Sequence, residues 1–414
     1  MKHFYKRMTS IAFIFGAFIQ IFAQYSNGLI VANEGGLGYK NAEVSYIENN
    51  IVTNNVYSLA NNGEQLGDIL QSMFFYDDKA LLVVNNSDKI VVVNRTTFKK
   101  ITEISVTKPR YATVSNGKIY STSAARNSIA VHDAETFELL SGIGLSRFGE
   151  EIHTINNKIY VVKSSFASGN EVDVIDPNTD EITSTITLAN GLRGIRSNGT
   201  AIYSLSNPYG GSPTVQEIDF TTDTVTKTIS NNDIKGLHKI AVKDNAIFVG
   251  GASKIYKLST DLQTFDDTIL FDVPVTESWY ELYTFNMVDD LLYESDSNGF
   301  TAQSTLRVYN LDGVLQNTFT TGLGSNGVYK NIYTNLNTTE IAKPQISLYP
   351  NPVSETLFIK NIGKAQYQIF DISGKVVKAG TYDNGIAVQS LNKGLYIISV
   401  QNGNQKSTHK FIVK

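Results

Sequence analysis

Arginine and aromatic side chains recur in the segments that join short β-type runs along this 414-residue chain. A guanidinium group binds planar or anionic groups bidentately, and aromatic rings stack on planar or apolar ones. Together these side chains suit a ligand that is planar, anionic or amphipathic. The predicted ligand-binding residues are Asn33, Glu34, Tyr39, Asn86, Arg110, Arg126, Arg147, Phe148, Arg193, Tyr209, His238, Trp279 and Tyr280. Any one of them taken alone could instead pack a loop or remain solvated.

Catalytic motifs give no comparable signal. The sequence contains no G-x-S-x-G, H-E-x-x-H, P-loop or EF-hand pattern and no cysteine, and its five histidines lie far apart. Residues 322–327 match G-x-G-x-x-G, but no strand–loop–helix unit surrounds them, so we interpret this segment as a flexible loop. We therefore predict no catalytic residue, no metal site and no cofactor.

The elements that must position these loops repeat along the chain. Equivalent apolar positions are 39 to 45 residues apart, at Leu81, Tyr120, Tyr160, Tyr203, Phe248 and Tyr293. A period of this length with three or four short strands per unit is typical of a β-propeller. A seventh unit begins at Gly28. The sequence thus predicts an all-β chain, a seven-bladed β-propeller followed by a small immunoglobulin-like β-sandwich. A ring of six or eight blades is the alternative.

Seven candidate innermost strands predict how the ring closes. They are residues 71–76, 110–115, 150–155, 192–197, 237–242, 283–288 and 328–334. The last of them has no outer strands after it, and the outer strands at the N-terminus have no innermost strand before them. Joining the two completes a blade and leaves no free sheet edge. Short turns such as Asn116-Gly117 then mark one face, and the longer loops with the candidate residues form the other.

The two ends of the chain differ from its middle. Lys2, Lys6 and Arg7 precede a thirteen-residue apolar run, residues 11–23, which is too short to span a bilayer comfortably. We interpret residues 1–23 as a signal peptide rather than as a membrane anchor. Residues 24–336 then form the predicted propeller, residues 337–343 a polar linker and residues 344–414 the sandwich.

The C-terminal segment carries the residues of a known module. The series runs from Tyr349-Pro350-Asn351-Pro352 through Phe370-Asp371-Ile372-Ser373-Gly374-Lys375 and Lys393-Gly394-Leu395-Tyr396 to a final Lys-Phe-Ile-Val-Lys. Residues 344–414 thereby resemble the type A sorting domain of the type IX secretion system, a feature of Bacteroidetes. The resemblance implies transport across the outer membrane by the type IX secretion machinery, removal of this domain, and release or surface attachment of the remainder. An ordinary sandwich that stays on the product is the alternative.

The repeats carry a second resemblance. Patterns such as K-I-Y-V followed by I-x-V-x-D-x-x-T resemble YVTN-type propellers. Residues 29–35 and 41–46, with 67–69 and 84–90 downstream, resemble surface-exposed propellers of gut Bacteroidetes, some of which capture cobalamin for a TonB-dependent transporter. This resemblance implies a corrinoid-like ligand, an outer-membrane transporter as partner, and a ligand face lined by the loop of Asn33, Glu34 and Gly35. Those capture proteins are lipoproteins, whereas this chain has no cysteine to carry a lipid.

Charge is distributed unevenly along the chain. Residues 344–414 carry 8 Lys against 3 acidic residues, and residues 1–23 carry three cations, which leaves 24 basic and 36 acidic residues on residues 24–343. A body of net charge −12 repels phosphate backbones, so no nucleic-acid partner is expected. A local basic funnel of Arg110, Arg126, Arg147 and Arg193 is compatible with this balance.

These observations predict a secreted or cell-surface propeller that binds a ligand on its loop-rich face without converting it. The ligand is unidentified: it is a small molecule such as a corrinoid, or a glycan, or a protein partner. One alternative is a propeller enzyme, such as a lyase, lactonase or quinoprotein-like dehydrogenase, which needs a charged or metal-bearing central channel. The other is a structural adhesin or matrix component whose loop-rich face lacks any concavity.

Overall fold

The computed structural model of the chain describes residues 25–165, 168–274, 282–333, 347–360, 362–402 and 405–414. It divides into two compact units, Met1–Thr334 and Asn335–Lys414. The predicted signal peptide and the predicted linker lie outside the described residues. Within the described ranges, no helix is both long and apolar enough to cross a membrane.

The first unit is built from short antiparallel strands. It opens with strands β1 (Gly28–Asn33), β2 (Glu43–Glu48) and β3 (Ile51–Thr53), followed by helix α1 (Val56–Ala60). Six four-stranded sheets follow in chain order, and we name them blades 1 to 6. Blades 1 to 3 comprise β4 (Leu70–Tyr76), β5 (Lys79–Val84), β6 (Lys89–Asn94) and β7 (Lys100–Ser105), then β8 (Pro109–Ser115), β9 (Lys118–Ser123), β10 (Ser128–Asp133) and β11 (Leu139–Gly144), then β12 (Ile152–Ile155), β13 (Lys158–Ser165), β14 (Ser168–Asp176) and β15 (Glu181–Thr187).

Blades 4 to 6 repeat the same up-and-down order. They comprise β16 (Leu192–Ser197), β17 (Ile202–Ser206), β18 (Thr214–Asp219) and β19 (Thr224–Ser230), then β20 (Lys239–Lys243), β21 (Ala246–Gly251), β22 (Lys254–Ser259) and β23 (Ile269–Asp272), then β24 (Thr284–Val288), β25 (Leu291–Asp296), β26 (Thr305–Asn310) and β27 (Leu315–Thr320). Two single-turn 3₁₀ helices, Asn85–Ser87 and Asn298–Phe300, lie in loops between second and third strands.

The last strand of this unit, β28 (Ser325–Asn331), returns to the N-terminal strands. It pairs antiparallel with β1, with Ile30 opposite Tyr329, and completes blade 7 in the order β28-β1-β2-β3. The predicted closure of the ring is therefore confirmed. The strand begins three residues before the predicted segment 328–334, because Ser325 and Gly327 extend the pairing opposite Asn33 and Ala32 of β1. The buried Ser325 hydroxyl also binds the side-chain oxygen of Asn33. The second half of the segment 322–327 is thus strand rather than flexible loop.

Burial follows the position of each strand in its blade. Second strands are covered by neighbouring blades on both faces, so their residues are buried almost continuously rather than alternately, polar ones such as Ser121 and Ser204 included. All residues of β5 after Lys79 are buried, whereas β11 and β15 at the rim each keep a single buried residue. The apolar clusters bridge neighbouring blades; Leu81 and Val92 of blade 1, for example, share one with Ile119 of blade 2. This packing between blades forms the core of the unit.

Tight hairpins define one face of the propeller. Asn116 and Gly117, with φ of 52° and 70°, link β8 to β9, and Asn156 and Asn157, with φ of 48° and 59°, link β12 to β13. Both pairs adopt the left-handed conformation that two-residue hairpin turns require and that Asn and Gly tolerate best. Since strands alternate in direction, the loops between second and third strands and between blades lie on the opposite face. This is the loop-rich face that the sequence predicts.

Adjacent blades are also joined by a repeated polar contact. Lys118 and Tyr120 of β9 donate hydrogen bonds of 2.7 and 2.6 Å to the Asp180 carboxylate of the next blade. One blade further on, Tyr160 of β13 donates to Asp223 at 2.9 Å. These charged residues hold the ring together and take no part in the site described below.

The second unit is a small β-sandwich. Its strands are β29 (Ser347–Tyr349), β30 (Thr356–Lys360), β31 (Ala365–Phe370), β32 (Val376–Tyr382), β33 (Ile386–Ala387), β34 (Gly394–Asn402) and β35 (Gln405–Val413). They form a three-stranded sheet, β29-β30-β33, and a four-stranded sheet, β32-β31-β34-β35. Leu357, Ile369, Ile398 and Phe411 are buried in a core between them. The predicted fold class, an all-β chain with a seven-bladed propeller and a small sandwich, is confirmed.

Candidate functional site

The first strands of all seven blades surround a cavity of about 820 Å³, here called the central cavity. Small-molecule sites typically enclose about 300–1,000 Å³, so its size suits a small organic ligand. Its ionisable lining residues belong to these strands or adjoin them: Glu150, Glu151, His153, Arg193, Arg196, His238, Lys239, Asp289 and Lys330. A cavity lined by so many charges inside a β-rich core is a candidate functional site.

The charged residues divide between the two ends of the cavity. Glu150, Arg193 and His238 stand at the starts of their strands and therefore on the loop-rich face. We call this end the cavity mouth. Asp289 and Lys330 form an ion pair with each other at the opposite, hairpin end.

β-Bulges place several side chains at the mouth. The pairing register of the first strand shifts between Leu70 and Ser72 in blade 1, between Pro109 and Ala112 in blade 2, and between Leu192 and Gly194 in blade 4. A bulge leaves an extra residue unpaired and re-aims its side chain. The residues within these shifts include Gln71, Arg110 and Arg193.

Arg110 is held by two partners at the mouth. Its Nε donates to both carboxylate oxygens of Glu150 at 3.1 and 3.0 Å, and its Nη2 donates to Oε1 of the same carboxylate. Its Nη1 donates to the side-chain oxygen of Gln71. The bidentate geometry fixes the plane of the guanidinium.

Glu34 lies in the loop after β1, near the same mouth. The Tyr283 hydroxyl donates a hydrogen bond to its carboxylate. Burial raises the pKa of Glu34, although this hydrogen bond and the cations Arg110 and Lys239 oppose the rise. This carboxylate is thus already engaged by a neutral donor.

Among the described residues, Lys239 and Arg193 have backbone rather than carboxylate partners. Lys239 Nζ donates to the backbone oxygen of Tyr283 at 2.9 Å, and Arg193 donates from Nε and Nη2 to the backbone oxygen of Asn207 at 3.0 and 2.8 Å. Neither cation forms an ion pair with any described residue. Burial lowers the pKa of Lys239 to about 8, with Arg196 adding to the effect. Two cations therefore line the cavity without a contacting anion from the part of the chain that the structure describes.

His238 stands next to both cations. Burial, with the positive charges of Lys239 and Arg193, lowers the pKa of His238 to about 4. The imidazole is therefore neutral near pH 7; its Nδ1 lies 3.1 Å from the backbone oxygen of Gly236 and donates to it, which leaves Nε2 as an acceptor.

Deeper in the cavity, Glu151 is surrounded by donors. Arg196 donates from Nη1 and Nη2 to its two oxygens at 2.8 and 3.2 Å, and His153 Nε2 lies 3.2 Å from Oε2. Burial alone would raise the pKa of Glu151, but Arg196 and His153 hold it well below its usual range. In this interior network Arg196 is paired with the Glu151 carboxylate, whereas Arg193 and Lys239 at the mouth have no such pair among the described residues.

The structure brings four of the sequence-predicted site residues together at the mouth: Glu34, Arg110, Arg193 and His238. Asn33 lies instead inside blade 7, fully buried, where its side chain binds Ser45 and Ser325 at 2.8 and 2.7 Å. Its contacts are those of a structural residue.

The other predicted residues lie away from the cavity lining. Asn86 donates to Asp68 at 2.6 Å and accepts from Lys108 at 2.7 Å, within a loop beside blade 1. The remaining described ones are exposed on loops: Tyr39, Arg126, Arg147, Phe148 and Tyr209. Trp279 and Tyr280 lie outside the described residues.

Sequence reasoning missed the members of the site that lie within or directly before first strands: Gln71, Glu150, Glu151, Arg196 and Lys239. The sequence does contain an indication of the charged residues among them, because charged side chains are rare in short innermost strands and these segments contain several. The bulges that aim Gln71 and Arg193 leave no comparable mark in the sequence. In the part of the chain that the structure describes, no group of three or more His, Asp or Glu side chains could hold a metal ion.

Seven blades around a lined cavity make the first unit a β-propeller. Residues 27–110 and 102–340 match the family model described as "Domain of unknown function (DUF5074)". The chain belongs to that family. Residues 347–414 match the secretion system C-terminal sorting domain. The predicted type IX sorting domain is therefore confirmed, and it indicates interaction with the secretion machinery and secretion to the cell surface or extracellular space.

Solved structures share the propeller fold. A quinonprotein alcohol dehydrogenase-like protein from Bacteroides thetaiotaomicron is 13% identical with a TM-score of 0.56, and the match covers 74% of this chain and 79% of that one. The Dos1 propeller is 12% identical with a TM-score of 0.51, covering 73% of this chain and 86% of that one. At these identities the likeness shows the fold alone. No curated protein matches the chain.

Proposed function

We propose that this chain is a secreted propeller that binds a ligand at the cavity mouth without converting it. The observation that carries the proposal is the presence of Arg193 and Lys239 at the mouth, neither of them ion-paired with a described residue. Uncompensated cations in a partly buried site cost free energy that a bound ligand can offset.

The mouth also offers the contacts that orient a ligand. Arg110 presents a guanidinium plane fixed by Glu150, and Glu34, Tyr283 and His238 supply further polar groups. A few convergent polar groups around a concave site are typical of small-molecule recognition. A concave, charged mouth favours this function over a structural adhesin.

Several finer expectations belong to the same proposal. The repeats would be of the YVTN type, and the ligand would be a corrinoid, a glycan or a protein. An outer-membrane transporter would be a partner if the resemblance to cobalamin-capturing propellers extends to function. Residues 1–23 would be removed as a signal peptide, and the sorting domain would be removed on export.

The test is an equilibrium titration of the purified full chain with cyanocobalamin and with soluble glycans, followed by calorimetry. We expect saturable heat with one of them, and mass spectrometry of the recovered ligand should show it unchanged. The ligand recovered as a product would favour the enzyme alternative instead.

Paired variants locate the binding site. Arg110→Gln removes a cation from the mouth, and Lys330→Gln removes one from the hairpin end; each cation is paired with a carboxylate. We expect Arg110→Gln to weaken binding and Lys330→Gln to leave it intact. Equal affinities in the two variants, or no binding by the wild type, would contradict the proposal.

A further inference from the structure

The donors at the cavity mouth are only partly used. A guanidinium carries five N–H donors and an ammonium three. Arg193 uses two of them on the Asn207 backbone oxygen, and Lys239 uses one on the Tyr283 backbone oxygen. For the rest, no acceptor is found among the described residues. Both side chains are half-buried and line the cavity, so these donors are available to a ligand bound there.

The nearby carboxylates are engaged elsewhere. Glu150 pairs with Arg110, and Glu151 pairs with Arg196. Glu34 accepts from the Tyr283 hydroxyl and, like Glu151, influences Lys239 only through space. These three described carboxylates are therefore engaged by other residues and do not contact Arg193 or Lys239.

A register shift in β16 positions the Arg193 side chain. Arg193 is the residue skipped in the register between Leu192 and Gly194, so its side chain is freed from the alternation of the strand. Its anchor, Asn207, is itself fixed because its side-chain oxygen accepts from the Leu237 amide at 2.6 Å. The loop before Lys239 is thereby tied to the loop that holds Arg193.

The acidity of the propeller body does not cancel this local charge. At physiological salt the Debye length is about 8 Å, so exposed carboxylates farther away are largely screened. Charges within the half-buried mouth interact through a lower effective dielectric and are screened less. An anion at the mouth therefore responds mainly to the residues that surround it.

We propose that the cavity mouth binds a small organic molecule through a carboxylate or phosphate group contacted by Arg193 and Lys239. This inference rests on the proposed function and narrows it to a ligand class. Arg193 supplies planar paired donors, and Lys239 supplies a point charge, a combination suited to an oxyanion with two or three oxygens.

The experiment titrates the purified full chain with citrate, with pyrophosphate and with uncharged glucose by calorimetry at pH 7 and low ionic strength. We expect citrate or pyrophosphate to bind and glucose not to bind at the same concentration. Comparing citrate with pyrophosphate distinguishes a carboxylate ligand from a phosphate ligand.

Matched variants assign the binding to the two cations. Arg193→Gln and Lys239→Met should each weaken anion affinity about 10-fold or more, since hydrogen bonds to charged groups contribute about 1.5–3 kcal/mol. The controls are Lys243→Met, at the other end of the same strand, and Lys235→Gln, exposed in a loop of the same face. Both should keep wild-type affinity, and circular dichroism should show all four variants folded.

Two results would overturn the inference. One is an absence of heat with citrate and pyrophosphate, and the other is equal weakening in the control and test variants. If cyanocobalamin or a glycan binds with the same affinity to wild type and to Lys239→Met, the inference fails while the proposed function stands. If none of citrate, pyrophosphate, cyanocobalamin and the glycans binds, both the inference and the proposed function fail.

Discussion

Lys239 and Lys243 show how position on one strand separates two lysines of the same type. Both belong to β20, but Lys239 lines the cavity mouth, whereas Lys243 lies near the Asp244 and Asp290 carboxylates at the hairpin end. Burial lowers the pKa of Lys239 to about 8, because the charged ammonium loses hydration and no described carboxylate contacts it. The site thus contains a cation that titrates just above neutral pH.

Anion binding should therefore depend on pH. Lys239 loses its proton as pH rises through about 8, so affinity for citrate should be constant near pH 7 and fall between pH 7.5 and 9. The groups that face Lys239 are Glu34, Glu151, Arg196 and His238. His238, with a pKa near 4, is already neutral in this range.

Calorimetric titrations at several pH values check this expectation, since the carboxylates of citrate stay ionised above pH 7.5. In Lys239→Met the affinity should be lower and independent of pH. A wild-type affinity that does not change up to pH 9 would contradict the assignment of Lys239 as the titrating contact.

Glu151 is expected to stabilise the folded ring. Glu151→Gln leaves Arg196 half-buried without its carboxylate, so we expect a loss of about 2 kcal/mol in the free energy of unfolding. Since the folded-state pKa of Glu151 lies below its usual range, its contribution is complete above about pH 4.5 and declines as pH falls toward the folded pKa.

Urea unfolding at pH 7 and at pH 3.5 measures both effects. The difference between wild type and Glu151→Gln should shrink at the lower pH. Glu135→Gln, at an exposed turn position, is the control and should unfold like the wild type. A Glu151→Gln variant with undiminished stability at pH 7 would show that the network does not hold the ring.

At the scale of elements, the strands were more predictable than the side chains that they aim. The apolar runs of β5 and β6 and the Asn116-Gly117 hairpin mark strands and turns directly. Sequence patterns do not show where a register shifts by one residue. For this reason the sequence places Arg193 where a blade-linking loop meets the predicted strand 192–197 without showing where its side chain points, and it does not single out Gln71 as a site residue.

The start of β28 illustrates the same limit. Ser325, Asn326 and Gly327 are polar or small and carry no strand pattern, so the sequence predicts a strand only from Val328. In the structure these residues extend the pairing with β1, and the Asn326 side chain binds the backbone oxygens of Leu70 and Gln71 at 2.8 and 3.1 Å. Such contacts with another blade exist only once the ring has formed.

Closure by β28 should decide whether the propeller unfolds as one unit. Removing residues 325–336 exposes the edge of β1 and opens blade 7, so we expect the cooperative thermal transition to be lost. Removal of residues 344–414 is the control, because the second unit has its own buried core. Differential scanning calorimetry compares the two, and an unchanged transition after the first deletion would contradict the closure.

At the scale of the whole molecule, export and recognition reside in different parts of the chain. The C-terminal unit is a secretion sorting domain with a net charge of +5, and the preceding residues 24–343 carry −12. The sequence was sufficient for this division and for the propeller, because both depend on repeats and on a continuous motif series. The ligand site depends instead on side chains from five blades and two loops that meet only in three dimensions.

The most direct test of ligand binding by Arg193 and Lys239 is a calorimetric comparison of the wild type with the double variant Arg193→Gln, Lys239→Met. Both are titrated with citrate, pyrophosphate, cyanocobalamin and soluble glycans, and each ligand is recovered for mass spectrometry. An oxyanion-bearing ligand should bind to the wild type, be recovered unchanged, and bind to the folded double variant at least about 10-fold more weakly. Equal binding by the two proteins, or recovery of the ligand as a product, would contradict this expectation.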